Sequence, residues 1–246
     1  WDGRADRIVL SEGHAVPIIY AAYCDLGGMV GQPDQASELR FSDALTLRAA
    51  DSVLDGHPNP AIGYPLFDTA TGSLGQGLSA SAGLALGAKL NGTSQRFFCI
   101  IGDGESREGQ IWEAVDFIAE NRLTAVCAIF NCNGQGQSDY VSPQQSPDVL
   151  SQKLRAFGWD VREIDGHDWD QIFDALNAET DEKPLAILAK TVKGWSVSSM
   201  QGVHSHGRAV PDDQLQSALA ELDSKAGELG VAELQDSECA DRKSVV

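Results

Sequence analysis

The stretch Arg96-Phe97-Phe98-Cys99-Ile100-Ile101-Gly102-Asp103-Gly104 decides how this chain is read. An apolar run ends in a tight Gly-Asp-Gly turn. A helical pattern follows over 108–121, then a second apolar run, Ala125-Val126-Cys127-Ala128-Ile129-Phe130, which ends in Asn131-Cys132-Asn133-Gly134. Strand, turn, helix and strand place an oxygen-bearing residue just past each strand: Asp103, then Asn133 thirty residues on. Ligands of an open parallel sheet bind beyond the carboxyl ends of its strands, so both residues are expected to face one ligand. A carboxylate, an amide oxygen and free carbonyls after Asn133 are hard donors. They suit Mg²⁺ or Ca²⁺ whose shell phosphate oxygens and water complete. Gly102 and Gly104 let the backbone turn sharply and approach a phosphate closely.

Working outward, segments of two periods alternate. Residues 13–26 read as a helix (Ala15, Ile18, Ile19, Ala22) stopped by Gly27-Gly28, and Ser42-Asp43 reads as the cap of another running to about Leu54. The stretch from Gly56-His57-Pro58-Asn59-Pro60 to about Asp68 is loop. A helix over 74–90 carries Gly75, Ser79, Gly83 and Gly87 at four-residue spacing. Tight packing within the domain accounts for that stripe, and a subunit interface is the alternative. After the loop 131–146 come helix 147–157, strand 159–164, helix 168–178, strand 184–190 and a loop over 191–210. Pro211-Asp212-Asp213 starts a last helix that stops near Gly230. The pattern predicts an α/β fold: a parallel sheet with helices on both faces over residues 1–210, then a C-terminal helix and polar tail over 211–246.

The 246 residues are 42% hydrophobic and 22% charged, which suits a globular chain with a sizeable core. A net charge of −18 argues against nucleic acid or an anionic membrane as partner. An anionic ligand must then be held locally, by a metal, histidines and backbone N–H groups. The five cysteines (Cys24, Cys99, Cys127, Cys132, Cys239) are odd in number and lack paired ligand spacing. That predicts a reduced, cytoplasmic compartment and no zinc. No secretory signal is visible, and the 74–90 helix is interrupted by Gly, Ser and Gln and falls short of a membrane span. The chain begins at Trp1 without methionine and is expected to be a truncated, processed or partly ordered version of something longer.

Gly102-Asp103-Gly104 followed after twenty-eight residues by Asn133 resembles the thiamine diphosphate fingerprint, and its surroundings resemble the N-terminal half of transketolase, above all the short, split bacterial forms. The similarity runs in unbroken order over about residues 5–225. It is carried by Leu10-Ser11-Glu12-Gly13-His14-Ala15, Thr71-Gly72-Ser73-Leu74-Gly75-Gln76-Gly77, Glu108-Gly109-Gln110-Ile111-Trp112-Glu113-Ala114, Ala156-Phe157-Gly158-Trp159, Ile164-Asp165-Gly166-His167-Asp168 and Lys190-Thr191-Val192-Lys193-Gly194. The resemblance implies a thiamine diphosphate-binding (diphosphate) domain over 1–210. It implies Mg²⁺ (or Ca²⁺) held by the side chains of Asp103 and Asn133 and the backbone carbonyl of Gln135. The Gly104 backbone would contact the diphosphate, and Gly72 and Leu74 would border the thiamine rings. His14 and His206 would reach the diphosphate and the mouth of the reaction centre, and His57 the hydroxyl and carbonyl end of the substrate. His204 lies two residues from His206; the glycine that follows favours His206. Glu108 and Glu113 match acids that communicate between paired active sites across a subunit interface. His167 matches a helix-start loop and has a structural reading.

In the resembled family a glutamate against the pyrimidine N1′ comes from a pyrimidine-binding domain, and after residue 211 only one helix and a tail remain. The resemblance therefore implies a diphosphate-binding subunit that works with a separate pyrimidine-binding chain in an α2β2 heteromer. A Ser-Gly-His segment of the family would lie N-terminal to Trp1. Four departures bear on specificity: Asn131-Cys132-Asn133, which resembles homodimeric 2-oxoacid dehydrogenase components; Gln135, where an aliphatic residue is usual; Trp195 after Lys193-Gly194; and Arg107 before Glu108. Transfer of a two-carbon ketol unit from a ketose phosphate to an aldehyde is the leading expectation. The alternatives are delivery of a two-carbon unit from a non-sugar donor to a lipoyl or carrier-protein arm, and a non-catalytic scaffold that regulates its partner.

Overall fold

The structure is a computed structural model and describes residues 5–31, 34–62, 66–180 and 182–231. Cys239 and the polar tail beyond Val231 lie outside the described residues. Strand β1 (Arg7–Leu10) leads through a single 3-10 turn into α1 (Val16–Asp25). An antiparallel pair, β2 (Met29–Val30) and β3 (Ser37–Glu38), and the one-turn α2 (Phe41–Ala44) precede the long α3 (Gln76–Asn91). Then β4 (Phe97–Gly102), α4 (Gly109–Glu120), β5 (Val126–Cys132), α5 (Pro147–Ala156), β6 (Asp160–Asp165), α6 (Trp169–Leu176) and β7 (Leu185–Lys190) alternate, and α7 (Leu215–Glu228) ends the described chain.

Five strands form one parallel sheet in the order β1-β4-β5-β7-β6. The chain steps across it in one direction from β1 through β4 and β5 to β6. Right-handed crossovers therefore put α3, α4 and α5 on the same face. The step from β6 back to β7 reverses direction and puts α6 on the other face. Burial follows this division. In β5, Val126, Ala128, Phe130 and Cys132 join the core under α3–α5, whereas Cys127 belongs to the core under α6, with Ile129 packed against it. A third cluster, built on Val16, Tyr20 and Tyr23 of α1 with Leu39, Leu54 and Phe67, supports the β1 edge. Trp159 closes the main core, its indole N–H donating to the Val115 carbonyl at 3.1 Å. The expected parallel sheet with helices on both faces is what forms.

Two local expectations are corrected. The helix foreseen from Ser42-Asp43 to about Leu54 is a single turn, with Asp43 inside it rather than at its cap, accepting the Arg40 backbone N–H at 2.9 Å. Thr46 Oγ1 donates to the Asp43 carbonyl at 2.7 Å and lies 2.9 Å from Ser52 Oγ, which accepts the Leu54 N–H. Arg48 takes φ +69°. Local side-chain bonds outcompete the helical ladder here. The small-residue stripe packs within the chain only at Gly75, where an added Cβ would come within 2.8 Å of Gln110. Gly75 is buried, but Ser79 and Gly83 are exposed, and a Cβ at Gly83 or Gly87 would meet nothing within 4 Å. The buried face of α3 is Leu78, Ser81, Ala82, Ala85 and Ala88 instead. Among the described residues no helix is long and apolar enough to cross a membrane.

Candidate cofactor site

The parallel register brings the carboxyl ends of four strands level. Gly102 lies opposite Asn131 and Cys132 opposite Lys190. Asp103 extends the β4–β5 ladder, its N–H reaching the Asn131 carbonyl at 3.3 Å. Its side chain is 2% exposed, and its two oxygens accept the Gly104 N–H at 2.7 Å and the Gly134 N–H at 2.6 Å. Burial pushes the carboxyl above its usual range, and those amide bonds pull it back down. Thirty residues away in sequence but on the adjoining turn, Asn133 Oδ1 accepts the Gln135 N–H at 2.9 Å.

Beneath this pair lies a knot absent from the sequence reading. Glu105, 3% exposed, accepts from Ser11 Oγ at 2.5 Å, from the Gly75 N–H at 2.6 Å and from the Gly102 N–H at 3.0 Å. One carboxylate thus ties the end of β1, the entry to α3 and the Gly-Asp-Gly turn. Glu12 projects over Gly102 and takes a bond from the Asn131 side chain, whose oxygen accepts Thr191 Oγ1 at 2.5 Å. Burial first, then the charges of Glu105 and Asp103, push the Glu12 carboxyl up to about 7. Lys193 is lowered by its own burial, against the pull of Glu12 and Asp103. The signal for these residues was available: polar Ser11-Glu12 directly after an apolar strand, and an acid one residue past Gly-Asp-Gly.

At the rim, Lys193 Nζ donates to His206 Nδ1 at 2.9 Å, and the His206 and His14 rings lie 5.1 Å apart. Burial is the first cause that lowers both imidazoles; His206, His57 and then Lys193 add to it at His14, Lys193 at His206. His204 is exposed, so His206 is the histidine beside the cradle. His57 is exposed on the loop Asp55–Asn59, against Gly72, where a Cβ would come within 3.0 Å of its ring. Gly72 adopts φ +146°, and the two residues line a cavity of about 520 Å³. The loop is held by the Tyr20 hydroxyl donating to the Asp55 carbonyl at 2.9 Å and by Thr71 N–H to the Pro58 carbonyl at 3.3 Å. The Leu74 carbonyl accepts Gln110 Nε2 at 2.6 Å. The structure thus groups Asp103, Gly104, Asn133, Gln135, His14 and His206 along one edge, with His57, Gly72 and Leu74 on the adjoining loops. Glu108 and Glu113 are exposed at the start of α4; Glu108 lies against Gly75, where an added Cβ would come within 2.9 Å of its own, and its charge adds to the rise of the Glu105 carboxyl.

The donor set fits a divalent cation and an anionic ligand. Three carboxyls largely withdrawn from solvent, Glu12, Asp103 and Glu105, lie along one edge and are raised first by that burial; the charges of Glu105 and Asp103 raise Glu12 further, and Lys193 is the cation that Glu12 and Asp103 feel. Among the described residues no three His, Cys, Asp or Glu side chains converge on one metal position. A bound ion would need amide, carbonyl and ligand oxygens as well, which Asn133, Gln135 and a diphosphate offer.

Solved transketolases share this thiamine diphosphate-binding α/β fold. The enzyme of Campylobacter jejuni superposes with a TM-score of 0.77 at 28% identity, covering 88% of this chain and 34% of that one. That of Pichia stipitis in complex with sedoheptulose 7-phosphate gives 0.81 at 23% identity, a likeness of fold. The chain matches the family described as transketolase, thiamine diphosphate binding domain, over residues 1–228, and belongs to it. Among relatives, human transketolase is 37% identical over 222 residues, 89% of this chain and 34% of its own length. The chain therefore spans about a third of the length of such transketolases. The 6-deoxy-6-sulfo-D-fructose transketolase subunit of Clostridium sp. (strain MSTE9) is 36% identical over 230 residues, 92% of this chain and 78% of that subunit.

Proposed function

We propose that this chain is the diphosphate-binding subunit of a thiamine diphosphate-dependent transketolase, a transferase that moves a two-carbon ketol unit from a ketose phosphate to an acceptor. The observation that carries the reading is the buried carboxyl edge: Asp103 facing Asn133, with Glu12 and Glu105 crowded behind it. Mg²⁺ (or Ca²⁺) would be held by the side chains of Asp103 and Asn133 and by the Gln135 carbonyl. Gly104 would bring its backbone to the diphosphate, and Gly72 and Leu74 would border the rings. The bound cofactor supplies a nucleophilic carbon and an electron sink. The chain's own part is to place it. His14 and His206, held neutral by burial and by Lys193, would offer hydrogen bonds at the mouth without adding charge. His57, beside the cavity with Gly72, would orient the donor's hydroxyl end.

A separate pyrimidine-binding subunit completes the site in this reading, as an α2β2 heteromer in a reduced, cytoplasmic setting. Support comes from the relative that is itself named a subunit and is of similar length, and from buried free cysteines at 24, 99, 127 and 132. The exposed Ser79 and Gly83 of α3, with Gly87 one turn further on where an added Cβ would meet nothing within 4 Å, support an interface on that side. The domain division belongs to the same reading: 1–210 as the cofactor domain, 211–246 as an appended helix and tail.

Calorimetry of thiamine diphosphate with Mg²⁺, with and without the partner chain, tests the proposal. Binding by the reconstituted complex is expected, and its absence sinks the reading. Product analysis with xylulose 5-phosphate plus ribose 5-phosphate should show ketol transfer. Turnover of pyruvate alone would point to the 2-oxoacid chemistry, and cofactor binding with neither product to a regulatory scaffold.

A further inference from the structure

The loop after Asn133 is fastened to itself and to the Gly104 turn. Gln135 N–H donates to Asn133 Oδ1, Gly136 N–H to the Asp139 carbonyl at 2.8 Å, and Val141 N–H to the Gly134 carbonyl at 3.0 Å. Gln135 also pairs with Tyr140 as a lone antiparallel bridge. A Cβ built on Gly104 would touch Gly136 Cα at 3.7 Å and Val141 at 3.8 Å, so this loop lies directly over the turn assigned to the diphosphate. Its backbone is fixed by these bonds. The Gln135 carboxamide oxygen is buried and has no hydrogen-bond partner among the described residues. A buried acceptor left without a donor destabilises a fold, whereas an apolar side chain of similar size in its place does not.

We infer that Gln135 is a polar recognition residue of the reaction centre. Its carboxamide oxygen accepts a hydrogen bond from an N–H or O–H on the organic group bound beside Asp103 and Asn133. Two sources present that chemistry: the aminopyrimidine of the cofactor and a hydroxyl of the ketose donor. In either case the residue addresses the ligand twice, by its backbone carbonyl toward the metal and by its side chain toward the organic group. The inference rests on the proposed cofactor, so wild-type binding is the control that separates the two: no wild-type binding overturns the functional reading itself.

The test uses Gln135→Leu and Gln135→Met in the complex reconstituted with the partner chain. Removing an orphaned acceptor should leave the cofactor-free melting temperature unchanged or raised. If the aminopyrimidine is the donor, the calorimetric Kd for thiamine diphosphate with Mg²⁺ rises by about fivefold or more. If the ketose hydroxyl is the donor, that Kd stays put and KM for xylulose 5-phosphate rises by about fivefold at little changed kcat. Either result supports the assignment. A lower cofactor-free melting temperature, or Kd and KM both unchanged beside normal wild-type binding, overturns it.

Discussion

The carboxyl edge of the sheet ends in two unlike regions. Beyond β1, β4 and β5, the carboxyls of Glu12, Asp103 and Glu105 are largely withdrawn from solvent, and their protons are held more tightly than in water. Beyond β6 and β7, the charges are solvated or locally matched. Glu163 pairs with Lys190 at 3.2 Å, and Asp165 and Asp168 accept backbone N–H groups of the next turn. His167 accepts the Val192 N–H at 2.9 Å and stacks on Trp195 with centroids 4.4 Å apart. A cavity of about 550 Å³ opens there too, slightly larger than the one at His57. Topological position and available space are therefore shared. Charge frustration is not, and frustration is what a cation relieves.

The comparison can be broken by mutation, and the largest effect should come at the knot. Glu105→Ala strands the Ser11 hydroxyl and two amides in the interior. It should cost about 4 kcal/mol and lower the melting temperature by roughly 8–16 °C. A loss of only a degree or two would mean that the knot is ornamental. Asp103→Asn keeps the shape but removes the charge, and should weaken cofactor–Mg²⁺ binding by about 100-fold or more in calorimetry of the complex. Near-normal affinity would remove Asp103 from the cradle.

Glu12 sharpens the contrast through pH. In the folded, metal-free chain its carboxyl holds a proton up to about 7, whereas an unfolded chain releases it near 4.5. Between those values the folded state binds more protons, so stability falls as pH rises and the loss is complete above pH 7. Glu12→Gln should therefore melt higher than the parent at pH 8, by about 2 kcal/mol, and no higher below pH 4.5. Melts of both proteins across that window check the sign. At the opposite end, Trp195→Ala removes a stacked ring that is 36% exposed and lies 5.5 Å beneath the Lys225 ammonium. About 1 kcal/mol of stability and no change in cofactor affinity are expected. A matching loss of affinity would show that the two regions act as one.

Much of this was legible because strands and helices differ in period. The runs at 96–101, 125–130 and 184–190 are continuous and apolar, as strands buried on both faces must be, and Asp103 and Asn133 fall where the topology puts ligands. β1 and the two-residue pair β2–β3 are too short to carry a period. The aborted helix at α2 turned on hydroxyl bonds among Thr46, Asp43 and Ser52, which composition does not rank against a helical ladder. Glu105 escaped notice for another reason. Its partners Ser11 and Gly75 are 94 and 30 residues away, so the local pattern marks its place just past the Gly-Asp-Gly turn but not the contacts that bury it.

Those separations matter before the protein has ever met a ligand. Loops of such length close slowly, because chain entropy is lost before any contact rewards it. The Glu105 contacts join the end of β1 to the β4 turn across α1, α2 and α3, so the cradle forms only when the same long loop that brings β1 to β4 has closed. A chain still emerging from the ribosome has no anion site to offer until residue 105 has docked. On the proposed reading, capture of the cofactor would then report that the chain has closed from β1 through the Gly134 loop.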